Sequence, residues 1–467
     1  MSASSPAGSP APRRRERRLI VAVVLLGLAV SVVMAMRSQL SGDQLNMLAR
    51  GWLLAERGTW VQYGLTTSAN GKAPGGLTSL LAGVPLMVWR DYRAPVVALL
   101  VAHLLAYLLL DGTLRRVLRP QERLLFAVLY WLNPWRLVHS AFLWNSNWMF
   151  VFGAVHLWTA FGLRRRSGFV LSLLHVLVLA AALQTHAAFV ILVVASALLV
   201  WRGFIRPNWA GVAAGALLGA LSLVPWALAM IGHPSLLPGG KGFPFRGLIL
   251  VFPLARGLLF WLRYPSLSYG GTMDELDFSA LLGSPDTVLG PALQLLLLAI
   301  GVVSVLLPLR ANAWMWRSNR RRALLRPGPA TSDRVWLHGV VAWTFVAAVI
   351  SYAVSPTTIM AWQGFSIMYA AVLPVVLFLG VLGRTRFAPR VRRLACALAA
   401  AFLLVLAAMT FGAPMFRRGG REAFTIGVRR DHPMYAELGI FAHTSVRLDP
   451  TFPWEPDVFL PDPAQGR

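Results

Sequence analysis

The chain has 467 residues, of which 57% are hydrophobic and only 13% are charged. A single soluble core could not hide this much apolar surface from water, so part of it must face lipid. The formal net charge of +26 would suggest nucleic-acid binding in a soluble protein, but here the basic residues form short runs between long apolar segments. That pattern sets membrane topology, and we expect no nucleic-acid partner.

The N-terminal segment, residues 1–18, is small and polar and then strongly basic, with five arginines before an apolar run at 19–36. A cleavable signal peptide has a shorter apolar region and a small-residue cleavage site. The run is long enough to span a bilayer, so it predicts a retained first helix. Cys396 is the only cysteine, which excludes a disulfide framework and a cysteine metal site within one chain.

Apolar runs bounded by Arg, Pro and Gly predict an all-α polytopic membrane protein with about eleven transmembrane helices. With the N terminus in the cytoplasm, the arginine clusters at 164–166, 320–322 and 390–393 all fall on the cytoplasmic side. The map therefore predicts a bacterial inner-membrane protein with a periplasmic C terminus. The predicted spans are 19–36, 94–111, 124–141, 147–162, 168–184, 187–201, 210–231, 288–308, 335–354, 365–382 and 394–412.

This topology divides the chain into a basic N terminus (1–18), a transmembrane domain (19–412) and a periplasmic tail (413–467). The outer face then carries a first loop at 37–93 and a second large loop at 232–287. Residues 246–263, interrupted by Pro253 and Arg256, are predicted to be interfacial or re-entrant, because an additional span there would invert the later arginine clusters. Glycines at 211, 215 and 219 predict close packing of one helix against another.

The first outer loop predicts two helices at the membrane surface. Asp43, Asn46, Arg50 and Arg57 recur at helical spacing, which is typical of an amphipathic helix lying on the membrane. The apolar piece from Gly76 to Trp89 is too short to span comfortably and is interpreted as a second interfacial helix.

Polar groups at one outer membrane level form the candidate catalytic site. An enzyme that deprotonates an acceptor hydroxyl beside a membrane-bound leaving group needs a base, and a carboxylate is the natural one. Asp43 is that carboxylate, although its position is equally typical of a helix N-cap. Asparagines before span four commonly cap a helix, and the histidine is also typical of a hydrogen-bonded interfacial residue. The other polar groups at this level are Asn145, Asn147, Gln184 and His186.

A lipid phosphate needs cationic donors near the headgroup level. Arg256 and Arg263 are seven residues apart and should share one helix face, while snorkelling to headgroups is the alternative for each cation. The outer candidates are Lys72, Lys241, Arg246, Arg256 and Arg263. Histidines 103, 156 and 175 lie within spans and are interpreted as bonded to neighbouring helices.

The first quarter of the chain resembles the GT-C superfamily of polytopic glycosyltransferases, especially bacterial polyprenyl-phosphate-mannose mannosyltransferase-like members of the family 39 type. The resemblance is carried by the acid after helix one in SGDQLNMLARGWLLAERG, by KAPGGLTSLLAGVPLMVW, and by Arg93 at the next span. It implies a GT-C-like transmembrane bundle and a polyprenyl-phosphate sugar donor. It also implies that Asp43 is the catalytic base and that Lys72 with Pro74 matches the family's lysine–proline segment.

The sequence departs from that family at two positions. Gln44 follows Asp43 where relatives often have a second acid, and Asn145 in WNSN stands where many have Asp. Divalent ions of the hard type need carboxylate oxygens, and one clear carboxylate remains near the site. The sequence therefore predicts no metal and no cofactor.

The resulting prediction is an inverting membrane glycosyltransferase that moves a sugar to an acceptor glycan, lipid or protein on the periplasmic face. Asp43 is the base, and Asn145 and His186 orient the reactants. The substrate-binding set is Lys72, Arg93, Asn147, Gln184, Lys241, Arg256 and Arg263. The alternatives are a lipid-linked sugar transporter or flippase, which needs broken helices and repeat symmetry, and a surface-polysaccharide polymerase or ligase that relies on outer-loop arginines.

Overall fold

The computed structural model describes residues 11–38, 43–67, 71–91, 93–232, 251–269, 276–319, 331–355 and 359–417, and two short strands beyond them. Within these ranges the chain is almost entirely helical, and seven helices are long and apolar enough to cross a membrane. The protein is therefore a multi-pass, all-α membrane protein. Lys241 and Arg246, and most of the predicted periplasmic tail, lie outside the described residues.

The described residues form nineteen α-helices, named in chain order. They are α1 (Ala11–Arg37), α2 (Asp43–Arg57), α3 (Leu77–Val88), α4 (Ala94–Leu114), α5 (Pro120–Phe126), α6 (Pro134–Ser140), α7 (Met149–Leu163), α8 (Phe169–Leu183), α9 (Phe189–Trp201), α10 (Trp209–Leu221), α11 (Val224–Gly232), α12 (Val251–Arg263), α13 (Ser279–Leu282), α14 (Leu289–Ser304), α15 (Leu306–Asn319), α16 (Asp333–Ala353), α17 (Met368–Leu382), α18 (Ala388–Gly412) and α19 (Pro414–Arg417).

Short irregular elements join some of these helices. A π-helical turn, Ala127–Trp131, follows α5, and 3-10 turns, Asn145–Trp148 and Ala361–Ile367, precede α7 and α17. Strand β1 (Thr66–Thr67) pairs antiparallel with β2 (Gly71–Lys72), and β3 (Thr425–Ile426) pairs parallel with β4 (Arg447–Leu448). Helical residues cover each of the eleven predicted spans, while the number of membrane crossings stays a prediction.

Ion pairs between distant segments gather at one end of the bundle, which we call the arginine-rich end. The buried carboxylate of Glu122 accepts hydrogen bonds from Arg334 and Arg384, and Asp333 pairs with Arg164. Each carboxylate therefore ties together segments that the topology map had placed on the same side of the membrane.

The opposite end is defined by Asp43, which contacts Trp144 just before α7. Helix α7 runs from this end to Arg164 at the arginine-rich end, and its 15 residues separate the two by about 22 Å at the usual helical rise. Asp43 thus lies at the end opposite Arg164, Arg334 and Arg384, as the topology map expects. Which end faces the cytoplasm stays a prediction.

Helices α2 and α3 both form as predicted and pack tightly on each other. A Cβ added at Gly51 of α2 would lie 2.6 Å from the Cβ of Ala82 in α3. The surface interpretation of α2 is wrong for two of its polar positions, because Asn46 and Arg50 are buried. The Arg50 guanidinium donates hydrogen bonds to the carbonyls of Tyr63 and Gly64, so the segment after α2 covers its polar side.

The three glycines in α10 pack against α8, as their spacing predicts. A Cβ at Gly211 would lie 2.4 Å from the carbonyl oxygen of Phe169, and one at Gly215 would lie 2.9 Å from that of Leu173. Side chains at these positions would force the helices apart. The two helices are therefore in backbone contact along one face.

Helix α12 occupies the segment predicted to be interfacial or re-entrant. Its Gly257 packs against the ring of Tyr352 in α16, and Trp261 donates a hydrogen bond to Asn312 of α15. Tyr264, immediately after α12, donates a hydrogen bond to the carbonyl of Ala361. The helix is thus held against the bundle beside the 3-10 turn at 361–367.

Candidate active site

The Asp43 carboxylate is exposed at the first residue of α2, where the candidate base was expected. The Trp144 indole N–H donates to Asp43 Oδ2 at 2.9 Å, across 101 residues of chain. A single fixed donor orients a carboxylate while leaving its second oxygen available. This contact brings the start of α2 and the segment just before α7 into one site.

Asn145 and the turn between α8 and α9 complete one wall of this site. The Asn145 side chain donates from Nδ2 to the Thr185 carbonyl at 2.9 Å, and its Oδ1 accepts from the Ser146 N–H at 2.9 Å. Thr185 lies between two other nominated residues, Gln184 and His186. The structure therefore brings Asp43, Asn145, Gln184 and His186 to one region, as the sequence predicts.

The KAPGG segment, between α2 and α3, packs against the same turn between α8 and α9. Gly75 has a φ of +80°, and a Cβ there would lie 2.3 Å from Gln184 Oε1. Only glycine fits this backbone without displacing Gln184, whose Nε2 donates to Ser222 Oγ at 2.9 Å. Lys72, three residues earlier, is partly exposed, and its Nζ lies 5.9 Å from the centre of the Tyr63 ring.

His186 and Asn147 are both engaged in internal hydrogen bonds. His186 Nδ1 accepts from the Ala188 N–H, and burial lowers the pKa of His186 to about 4, so the imidazole is neutral near pH 7. Asn147 is fully buried, donating to the Phe142 carbonyl and bonding His139 through Oδ1. Asn147 therefore fixes the segment before α7 through buried hydrogen bonds and has no exposed surface for a direct substrate contact in this structure.

Arg256 and Arg263 lie on one face of α12, as their spacing predicts. Both guanidinium groups lie near the Phe260 ring, at 6.0 Å and 5.0 Å from its centre. Their partners differ in kind. Arg263 donates to Ser268 Oγ and the Ser268 carbonyl, whereas Arg256 contacts the thioether sulfur of Met360 at 2.9 Å. A thioether is a weak acceptor, so Arg256 is the cation that a phosphate oxygen would engage more readily.

Met360 connects Arg256 to the aromatic residues beside Asp43. It immediately precedes the 3-10 turn at 361–367, and its N–H donates to Gln363 Oε1 at 2.7 Å, which fixes the start of the turn. Trp362 in this turn packs edge-to-face on Trp144, with ring centres 5.0 Å apart. Two contacts, a step of two residues along the chain and a third contact thus link the Asp43 carboxylate to Arg256.

Another nominated residue, Arg93, forms an ion pair with a neighbour in the chain. Arg93 is exposed at the start of α4, where it pairs with Asp91 and lies 5.4 Å from the centre of the Trp89 ring. Burial alone would raise the pKa of Asp91, but the hydrogen bonds and charge of Arg93 lower it. Lys241 lies outside the described residues. Among those residues, no group of three or more His, Cys, Asp or Glu side chains has the spacing of a metal site.

Sequence reasoning missed Trp144, Trp362 and Met360. Two signals pointed to them. Trp144 directly precedes Asn145 in the WNSN motif, and Trp362 and Gln363 interrupt the apolar pattern just before the predicted span at 365–382. Their functional interest depends on contacts across 101 and 218 residues of chain, which a single sequence does not reveal.

Comparison with solved structures identifies the architecture. ArnT from Cupriavidus metallidurans, bound to undecaprenyl phosphate, superposes with a TM-score of 0.50 at 13% identity, over 87% of this chain and 78% of that one. The Archaeoglobus fulgidus oligosaccharyltransferase with a tethered acceptor peptide gives 0.48 at 13% identity, over 95% of this chain and 60% of that one. The complex of the archaeal oligosaccharyltransferase AglB from Archaeoglobus fulgidus with an inhibitory peptide and dolichol phosphate superposes with a TM-score of 0.48 at 12% identity, over 87% of this chain and 57% of that one. No protein-family model and no curated protein sequence matches the chain.

The chain is therefore a polytopic membrane protein whose fold is similar to that of ArnT. The likeness extends over most of both chains. The GT-C resemblance carried by the first quarter of the sequence is confirmed at the level of the fold.

Proposed function

We propose that this protein transfers a sugar from a polyprenyl-phosphate donor to a hydroxyl acceptor at the periplasmic face, with inversion at the anomeric carbon. The single observation that carries the proposal is the position of Asp43. Its exposed carboxylate lies beyond the first span, at the end opposite the described arginine-rich end, in contact with Trp144 of the wall that leads to Arg256.

The proposed reaction is a single displacement. The acceptor hydroxyl gives its proton to the free oxygen of the Asp43 carboxylate while its oxygen forms a bond to the anomeric carbon. The bond from that carbon to the phosphate oxygen breaks, and the lipid phosphate leaves with its electron pair. Arg256, with Lys72, Lys241 or Arg263, stabilises the departing phosphate charge.

The remaining nominated residues have supporting roles in this proposal. Asn145 and Gln184 hold the wall formed by the KAPGG segment and the α8–α9 turn, and neutral His186 adds a polar group without charge. Arg93 is proposed to contact the donor or lipid headgroups at the rim. We propose no metal and no cofactor, since the reaction needs only the base and the cations. The bacterial inner membrane is the proposed location.

The first prediction concerns the base. Replacing Asp43 with Asn keeps an oxygen that accepts from Trp144 but removes the proton acceptor, so turnover should fall by at least about a hundredfold. Transfer would be measured with purified protein and a polyprenyl-phosphate sugar. Glu56→Gln is the matched control, because it removes an exposed carboxylate from the same helix, α2, where Glu56 pairs with the exposed Arg90.

Both variants should elute and melt like the wild type. Normal transfer by Asp43→Asn would contradict the assignment of Asp43 as base. Equal loss in Glu56→Gln would indicate a general effect of removing negative charge from α2 and would also contradict it.

A further inference from the structure

The indole rings of Trp144 and Trp362 are half-buried, and the proposed proton transfer and phosphate binding give their ring faces no role. Their rings meet edge-to-face with centres 5.0 Å apart. On the protein side, Trp144 packs against His139 and Phe142 at 6.1 Å each. We call the pair the aromatic corner.

The aromatic corner lies between Asp43 and Arg256 in the order of contacts. Asp43 bonds Trp144, Trp144 packs on Trp362, and Trp362 lies two residues from Met360, which contacts Arg256. The corner therefore lies between the proposed base and the cation best suited to the phosphate. In an inverting displacement, the transferred sugar lies between the acceptor oxygen and the phosphate. The order of contacts matches the order of reacting groups.

The chemistry of the corner suits a sugar ring. A pyranose or furanose has an apolar C–H face that packs on an aromatic ring, while its hydroxyls need polar partners at the edge. Gln363 supplies such a group nearby, because its side chain is partly exposed and its bond to the Met360 N–H uses only Oε1. The corner is also rigid, because Gln363 fixes the start of its turn and Tyr264 bonds the Ala361 carbonyl.

We infer that Trp144 and Trp362 form the binding platform for the donor's sugar ring, so that this corner distinguishes a glycosylated lipid phosphate from the bare lipid phosphate. The inference rests on the proposed function for the place of the donor. It adds specificity residues to a site otherwise defined by Asp43 and the α12 cations.

The test compares two classes of probe on the purified full-length chain. One is undecaprenyl phosphate without a sugar. The other is the tightest-binding member of a panel of undecaprenyl phosphates that carry mannose, glucose, galactose or arabinose. Trp362→Ala should weaken binding of the glycosylated probe about tenfold, the loss expected when a stacked aromatic side chain is truncated. Binding of the bare lipid should not change.

Two further variants separate stacking from a loss of fold. Trp362→Phe keeps an aromatic face and should restore most of the affinity for the glycosylated probe. Trp209→Ala removes an exposed indole at the start of α10 and should leave both affinities unchanged. Thermal melting of each variant reports on the fold independently of ligand.

The outcomes distinguish the two ideas. If Trp362→Ala weakens both probes equally, or neither, the platform is overturned while the proposed function stands. If the wild type binds bare undecaprenyl phosphate but gains nothing from any of the sugars, the platform is likewise overturned. If the wild type binds neither class of probe, the proposed function fails and the platform fails with it.

Discussion

At the scale of single residues, the two cations on α12 differ in their hydrogen-bond partners, and this difference predicts which of them binds phosphate more readily. Arg263 donates two hydrogen bonds to Ser268, and its guanidinium lies 5.4 Å from the centre of the Trp135 ring. Arg256 is held by the Met360 sulfur instead. A phosphate oxygen could replace a thioether at little cost, whereas it would have to compete with the oxygen acceptors around Arg263.

Arg256→Gln should therefore weaken binding of undecaprenyl phosphate by about ten- to a hundredfold, the range for losing a hydrogen bond to a charged group. Arg263→Gln should have a smaller effect on the same binding constant. Arg256→Lys keeps the charge without the planar fork and should fall between wild type and Arg256→Gln. A larger loss in Arg263→Gln than in Arg256→Gln would contradict the ranking.

The sequence predicted the place of Asp43 just after the first helix but not its contact with Trp144, for a physical reason. A lone carboxylate after a first span is unusual enough to be recognised by position and residue type. The contact to Trp144 depends on how α2 and the start of α7 meet, and tryptophan before an asparagine has many ordinary explanations. For Arg50, helical spacing identified a polar position but could not tell that residues 63–64 would cover it.

At the scale of elements, the contact between α8 and α10 depends on residues without side chains. A Cβ at Gly215 would approach the Leu173 carbonyl and the Val176 Cβ, both at 2.9 Å. Since both neighbours belong to the helix itself, neither can move aside without shifting α8. The short spacing of the glycines made this pairing predictable from sequence, although the partner helix was not.

Gly215→Leu should destabilise the protein by about 1–3 kcal/mol, the usual cost of overpacking a close contact. A fall of several degrees in melting temperature, measured by tryptophan fluorescence in detergent, would show it. Gly112→Leu in α4 is the matched control, because nothing lies within 4 Å of a Cβ added there. Equal melting of Gly215→Leu and the wild type would contradict the close contact between α8 and α10.

A second element-scale prediction concerns the arginine-rich end. Glu122 joins α5 to α16 and to the end of α17 through Arg334 and Arg384, and its side chain is 2% exposed. Glu122→Gln leaves both guanidinium groups without their carboxylate, and should cost about 2 kcal/mol because the arginines are partly solvated. Glu56→Gln, which breaks the exposed pair with Arg90, should leave the melting temperature nearly unchanged.

At the scale of the whole molecule, the two ends of the bundle differ in chemistry. One end carries ion pairs that tie helices together, and the other carries the exposed carboxylate, the aromatic corner and the α12 cations. In the proposed function, membrane topology and catalysis depend on the same division, because the lipid-linked donor would reach Asp43 only from the side of the membrane on which α1 ends. The arginine clusters predict that this face is periplasmic.

Cysteine labelling tests that orientation directly. In a Cys396→Ala background, Arg57→Cys at the end of α2 and Ser167→Cys beside α8 each introduce one exposed thiol at opposite ends of the bundle. A membrane-impermeant maleimide should label position 57 in right-side-out vesicles and position 167 only in inverted vesicles. The reverse pattern would put Asp43 in the cytoplasm and remove the basis for a periplasmic reaction, even though every contact within the site would remain. Orientation is therefore the property on which the proposed donor, acceptor and compartment jointly depend.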